Sequence, residues 1–163
     1  MKQVIIMRGI PGSGKSTWIK KNITHNPANK LVGVKICSAD FFHIGDDNVY
    51  RFDPADIGKA HDFCLNEFLG ACQKMPAGII LVVDNTNLLG WEIAPYYRLA
   101  QLFGWDVKIV RLDCDFRTAV ERNIHAVASE RIWQMYQSLL NERLPLHWKE
   151  EIVFPTLIEI ERG

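Results

Sequence analysis

At 163 residues, 48% of them hydrophobic, the chain is long enough to bury one core and too short for two ordinary domains, so a single domain is expected over 1–163. Lysine plus arginine and aspartate plus glutamate number 19 each, a balance that excludes a global basic field for broad nucleic-acid binding and leaves open only a local basic groove. No apolar run approaches the ~18 residues of a membrane span and no signal-peptide pattern opens the chain, so a cytoplasmic protein is expected.

Gln3 to Arg8 reads as a short buried strand. Directly after it, Gly9-Ile10-Pro11-Gly12-Ser13-Gly14-Lys15-Ser16 fits the phosphate-loop pattern G-x-x-x-x-G-K-[ST], with a helix opening near Ser16. Glycines let such a backbone curl with its N–H groups facing phosphate oxygens, and the following helix adds its positive N-terminal end. In that chemistry the lysine reaches the β and γ phosphates and the serine hydroxyl ligates Mg2+. Gly9, Pro11, Gly12, Ser13, Gly14, Lys15, Ser16 and Thr17 are therefore the candidate nucleotide-binding residues, with ATP and Mg2+ as the expected ligands.

Val32 to Ser38 predicts a second strand, rich in β-branched residues. Asp53-Pro54 then gives a helix start, aspartate as N-cap and proline at the first helical position. Ile57, Ala60, His61, Cys64, Leu65, Phe68, Leu69 and Cys72 follow at helical spacing and make one apolar face, on which His61 is expected as a hydrogen-bonded core histidine. The uninterrupted run Ile79 to Val83, closed by Asp84, has the signature of a strand buried on both faces of a parallel sheet. A helix from about Gly90 to Phe103 is closed by Gly104, with Pro95 either kinking it or marking its true first turn. Val107 to Leu112 is the next strand. Phe116 to Asn123 and Ser129 to Leu140 read as two short helices, the second capped by Ser129, and they make a helical lid over about residues 114–140. The tail, Pro145 to Gly163, holds strand-like Ile152 to Phe154 and Leu157 to Ile160 without an assigned place. The alternation of strands and helices implies an α/β fold, a P-loop NTPase three-layer sandwich with a parallel sheet and right-handed crossovers. Cys37, Cys64, Cys72 and Cys114 are scattered, with no C-x-x-C pair, and are expected as reduced core thiols.

In open α/β sheets ligands bind beyond the carboxyl ends of strands, which singles out Asp40 and Asp84. A phosphotransferase must hold an acceptor hydroxyl in line with the γ-phosphate and take up its proton, and Asp40 is the candidate base; a turn or capping carboxylate is the alternative. Asp84 is a candidate Mg2+ ligand, and Thr86 and Asn87 either bond the loops or a substrate or cap the next helix. The residue after Asp84 is Asn85 and not the second carboxylate with which motor-type ATPases activate water, which favours transfer over hydrolysis. No N-K-x-D guanine-reading motif occurs, Asn29-Lys30-Leu31-Val32 lacking the aspartate, so ATP is favoured as donor. Arg117, Arg122 and Arg131 fall in the lid, where an arginine stabilises charge on the β and γ oxygens; a solvated helix face is the alternative for each.

Gly9 to Thr17, Ser38-Ala39-Asp40, Tyr50-Arg51-Phe52-Asp53-Pro54, Ala60-His61, Val83-Asp84-Asn85-Thr86-Asn87, Trp91-Glu92, Pro95-Tyr96 and Arg122-Asn123-Ile124-His125 together resemble the polynucleotide-kinase-like P-loop kinases. That family includes bacteriophage polynucleotide 5′-kinase and kinase domains of ubiquitin-ligase-binding proteins. The resemblance runs from about Lys2 to Leu140. It implies that Asp40 is the general base, that Arg122 is the lid arginine on the donor phosphates, that Asp84 belongs to the D-N-T-N block, and that the acceptor is a polynucleotide or nucleotide 5′-hydroxyl. A small-metabolite kinase and an ATP-binding interaction module without transfer are the alternatives. Two positions depart from the phage pattern: His43 stands where an arginine helps to hold the acceptor phosphate, and Asn85 where the phage enzyme has an acid. Between Ala39 and Glu67 seven acidic residues face two basic ones, Arg51 and Lys59, the reverse of what a nucleic-acid backbone attracts.

Overall fold

The computed structural model describes residues 2–27, 33–124 and 126–155. Strands β1 (Gln3–Arg8), β2 (Gly33–Cys37), β3 (Ile79–Val83), β4 (Asp106–Leu112) and β5 (Glu150–Val153) form a five-stranded sheet in the order β2-β3-β1-β4-β5. Every pairing is parallel. The apolar run of β3 pairs with the strand that leads into the phosphate loop, Val4 opposite Leu81 and Ile6 opposite Val83.

Side chains alternate across a strand, and the sheet divides its apolar residues accordingly. Val4, Ile6, Leu81, Val83, Val107 and Ile109 face helices α2 (Ile57–Lys74) and α3 (Gly90–Leu102), packing on Cys64, Phe68, Ile93 and Tyr97. Ile5, Met7, Ile80, Val82, Val110 and Leu112 face the other way, onto Ile19 of α1 (Lys15–Ile19) and Ile23 of the π-helical turn Lys20–Thr24 that continues it. A third cluster joins the loop residue Ile10 to Ala119 of α4 (Phe116–Glu121) and to Ile132 and Leu139 of α5 (Ser129–Asn141). Burying a side chain such as Phe68 fully contributes ~1.5–3 kcal/mol, so the three clusters hold the helices on the sheet and the α4–α5 pair on the phosphate loop. The four cysteines are buried and free, and burial pushes the Cys37 thiol up to about 12, as expected for inert core thiols.

Several local expectations need correction. Asp53 does cap, accepting from Ala55 N–H at 2.8 Å, but it opens a 3-10 turn, Pro54–Asp56, and α2 starts only at Ile57. His61 is exposed and is not a core residue, because the buried stripe runs through Ala60, Cys64, Phe68, Ala71 and Cys72. Pro95 lies inside α3, not at its first turn. Gly104 closes that helix as expected, with φ +72 and Trp105 N–H returning to Ala100 O at 2.9 Å. Ser129 does not cap α5: the N-cap is Ala128, and the Ser129 hydroxyl bonds Glu130. The tail acquires a place, since Glu150–Val153 is the edge strand beside β4. Val32, His125 and Leu157 to Ile160 lie outside the described residues.

Candidate active site

The phosphate loop leaves the carboxyl end of β1 and enters α1. Gly14, the residue before α1, sits at φ +94, a left-handed conformation that glycine adopts without steric cost. Gly12 is at φ +78, and a Cβ there would lie 2.1 Å from the Ala119 carbonyl oxygen, so α4 is seated against the loop only because that position is glycine. The Ser13 hydroxyl is buried inside the loop without a hydrogen-bond partner among the described residues, which leaves a donor for an oxygen ligand. Lys15 curls over the loop, its Nζ donating to Gly9 O at 2.9 Å and Ile10 O at 3.1 Å. Burial pulls the Lys15 ammonium below the usual lysine value, while the charges of Asp84 and, less strongly, Asp40 oppose that pull. Both carboxylates singled out at the strand ends therefore act on the loop lysine.

Asp84 emerges at the end of β3 and its Oδ2 accepts from Ser16 Oγ at 3.3 Å. A serine hydroxyl and a carboxylate brought together beside a phosphate site fit Mg2+, which takes few protein ligands and keeps water and phosphate oxygens for the rest of its shell. No cluster of three or more His, Cys, Asp or Glu side chains able to hold a metal occurs among the described residues.

Asp40 lies in a 3-10 turn, Ala39–His43, that follows β2, and its side chain is exposed. Ser38 pins this turn twice: its hydroxyl donates to the Asp84 carbonyl at 2.8 Å and accepts from Asp40 N–H at 3.3 Å. Asn85 adds a third tie, its Oδ1 accepting from Ala39 N–H at 2.9 Å while Nδ2 approaches Cys64 Sγ and the Tyr96 hydroxyl. The Tyr50 hydroxyl reaches Asp40 Oδ1 at 3.4 Å, and burial together with the Asp40 charge keeps that phenol protonated to higher pH than usual. The rest of the D-N-T-N block turns the other way. Thr86 O accepts from Gly9 N–H at 2.9 Å, and Asn87 Nδ2 donates to Met7 O at 2.7 Å. The block is thus a clamp between the phosphate loop and the Asp40 turn, not a set of caps for α3.

Of Arg117, Arg122 and Arg131, the one that reaches the loop is Arg122, its Nη1 donating to Gly12 O at 3.3 Å. Arg117 and Arg131 are exposed, the latter directed at Gln134. His43 is buried and surrounded by the rings of Phe42, Tyr50 and Phe52, so it does not replace an arginine reaching into the site.

The AAA domain family model (AAA_33) matches residues 4–134, the stretch that contains the loop, both strand-end carboxylates, α4 and the first turns of α5. The chain belongs to the AAA domain family. This AAA domain is 34% identical over 138 residues to human (Homo sapiens) NEDD4-binding protein 2, an alignment that takes in 82% of the chain and 7% of that much longer protein. Its fold resembles Kti12 of Chaetomium thermophilum, solved in complex with ADP-AlF3, at a TM-score of 0.61 and 13% identity, covering 98% of this chain and 94% of that one. It also resembles a chain of the Pnkp1/Rnl/Hen1 RNA repair complex, at a TM-score of 0.61 and 14% identity over 85% of this chain and 44% of that one. These likenesses establish the α/β three-layer phosphate-loop fold of the AAA domain. No helix among its described residues is long and apolar enough to cross a membrane.

Residues that carry the geometry and have no assigned role in the sequence reading are Ser38, Tyr50 and Arg8. Ser38 has a local signal, a hydroxyl at a strand end two residues before a carboxylate. Arg8 has another, a charge closing an apolar strand. Nothing local marks Tyr50 as a partner of Asp40, which lies ten positions earlier in the chain.

Proposed function

We propose that this AAA domain transfers the γ-phosphate of ATP to a hydroxyl acceptor, a polynucleotide or nucleotide 5′-hydroxyl. The observation that carries the reading is the clamp that sets the exposed Asp40 carboxylate beside a phosphate loop whose lysine it influences. Lys15, the loop amides and the residues Gly9 to Thr17 hold the triphosphate. Mg2+ held by Ser16 and Asp84 would neutralise phosphate charge during transfer. Asp40 accepts the proton of the acceptor hydroxyl as the new O–P bond forms, and the bond between γ-phosphorus and the β–γ bridging oxygen breaks to leave ADP. Arg122, already on the loop at Gly12, counters charge on the oxygens as the lid region 114–140 closes on the nucleotide. Transfer is favoured over hydrolysis because position 85 is an amide engaged with Ala39, not an acid able to activate water. The family resemblance of the Asp40 and Arg122 blocks supports the 5′-hydroxyl as acceptor, and the RNA repair complex among the fold's relatives is in keeping with it.

The excess of acidic residues between Ala39 and Glu67 favours a second reading, the hydroxyl of a small metabolite. The deciding experiment is transfer of labelled γ-phosphate from ATP with Mg2+ to 5′-hydroxyl DNA and RNA oligonucleotides, with Lys15→Ala as control. Label on the oligonucleotide that disappears in the control is the expected result. ATP binding without transfer to any 5′-hydroxyl would overturn the assigned acceptor and turn the search to metabolites.

A further inference from the structure

The surface around Asp40 is apolar where a backbone-reading site would be basic. Phe41 and Phe42 follow Asp40 in its own turn and are 46% and 38% exposed, and Phe52, two residues past the tyrosine that bonds Asp40, is 52% exposed. The rings form a connected group: Phe52 and Tyr50 each meet the buried His43 edge-on, at 5.1 and 5.8 Å, and Phe42 lies 5.6 Å from His43 and 5.9 Å from Phe63. Exposed large apolar side chains are common singly, but here Ile44, Val49, Ile57 and Phe63 add to the same segment of chain, residues 41–63, which carries the ordered aromatic group around His43.

The charge of this face argues against a phosphate grip. Its two cations are already spent, Arg51 on Asp47 and Lys59 on Asp56, within a segment that carries seven acids. His43 is only 7% exposed and walled in by rings, so it does not reach out to a phosphate. An acceptor with anionic phosphates lying on this face would be repelled, whereas a neutral, flat, polarisable group finds exposed rings beside the carboxylate that would take its hydroxyl proton.

We propose that the acceptor is gripped through its base, stacked on the Phe41, Phe42 and Phe52 surface beside Asp40, and not through its phosphates. The inference rests on the proposed 5′-hydroxyl acceptor and names how that acceptor is read. A site of this kind takes nucleosides and the terminal nucleotide of a strand, tolerates a neutral backbone, and leaves the rest of the strand outside the protein's grip.

The test measures transfer to a 5′-hydroxyl oligonucleotide and to its methylphosphonate analogue, across a salt series, for the wild type and for Phe41→Ala, Phe52→Ala and Phe52→Trp. Loss of one stacking ring is expected to raise the acceptor KM by roughly 5- to 100-fold with the ATP KM unchanged, and tryptophan at position 52 is expected to restore it. The methylphosphonate acceptor should work about as well as the phosphodiester, and acceptor KM should vary little with salt, since each phosphate contact on a single strand would add about 0.7 to the log–log slope. Transfer that is steeply salt-dependent, rejects the neutral backbone and ignores the phenylalanine variants would overturn this inference and leave the 5′-hydroxyl kinase intact. Absence of transfer to every 5′-hydroxyl, free nucleosides included, while ATP still binds, would instead overturn the acceptor itself, and a cationic hydroxyl compound would then suit the acidic, aromatic face.

Discussion

Asp40 and Lys15 carry opposite demands at the residue scale. Asp40 needs an accessible carboxylate whose direction is fixed, and it has both, being exposed and set in a capped turn. Replacing it with asparagine keeps the shape and removes the proton acceptor, so Asp40→Asn should lower kcat by about 100-fold or more with ATP affinity unchanged; equal loss of both would remove Asp40 from the base role. Lys15 is a lysine held by backbone carbonyls in a place that disfavours its charge. Because its value in the folded chain is lowered, the fold is penalised as pH falls through that value and the lysine is forced to charge. Triphosphate reverses the preference, since anionic oxygens favour the ammonium. Nucleotide binding is therefore expected to take up a proton on the alkaline side of the free-chain value, and affinity to fall as pH rises there. Calorimetric titrations in buffers of different ionisation enthalpy read this directly, and a proton count of zero throughout the alkaline range would contradict it.

Single elements of the site are rigid because their polar groups bond the neighbouring loop. The Asp40 turn has no long helix to support it and relies on Ser38 and Asn85, which fasten it to the end of β3. In Asn85→Leu the Ala39 N–H loses its acceptor in a half-buried place, which costs about 1–3 kcal/mol of stability. The same change should lower kcat with little effect on the ATP KM, because the loop and Lys15 do not use Asn85. Urea unfolding alongside steady-state kinetics separates the two effects; a variant destabilised but fully active when folded would show that Asn85 supports the fold and not the base. Local sequence made this turn only half readable. The aspartate after a β-branched strand stood out, but hydrogen bonds from Asn85 and Tyr50 depend on side chains 45 and 10 residues away in the chain. Likewise Asp53 shows its capping chemistry in sequence, while the number of 3-10 residues before α2 is set by packing of the turn.

At the scale of the whole molecule, Arg8 joins parts that are distant in the chain. It is fully buried at the end of β1, donating to Asn87 O at 3.2 Å, to Leu88 O at 2.7 Å and to Glu150 of β5 at 2.8 Å. Two strands, β1 and β5, and the end of the D-N-T-N block meet at one guanidinium. Arg8→Met would leave two buried carbonyls without their donor, at about 1–3 kcal/mol each, and the partly exposed Glu150 without its ion pair. A large fall in the urea midpoint is expected, with nucleotide binding lost only where the fold is lost. A change under 1 kcal/mol would mean that the edge strand is held by its ladder alone.

Hydrophobic period and glycine spacing determined four of the strands, the helices between them, the phosphate loop and, by their place at strand ends, Asp40 and Asp84 as residues to examine, whereas Arg122 was set apart from Arg117 and Arg131 only by the family resemblance. These are local signals: an unbroken apolar run can only be a buried strand or helix, and G-x-x-x-x-G-K-S prescribes its own backbone. The edge strand β5 was legible only as strand-like Ile152 to Phe154 without a place, because Glu150-Glu151-Ile152-Val153 has no buried run and its pairing with β4 is fixed by the backbone ladder and by Arg8. His61 was misplaced because helical spacing gives a face about 100° wide or more without saying where its buried centre falls. Only the tertiary structure brought Ser38, Asn85 and Tyr50 to Asp40, laid Arg122 on Gly12, and ringed His43 with aromatics, since contacts between distant segments come from packing that no short stretch of sequence contains.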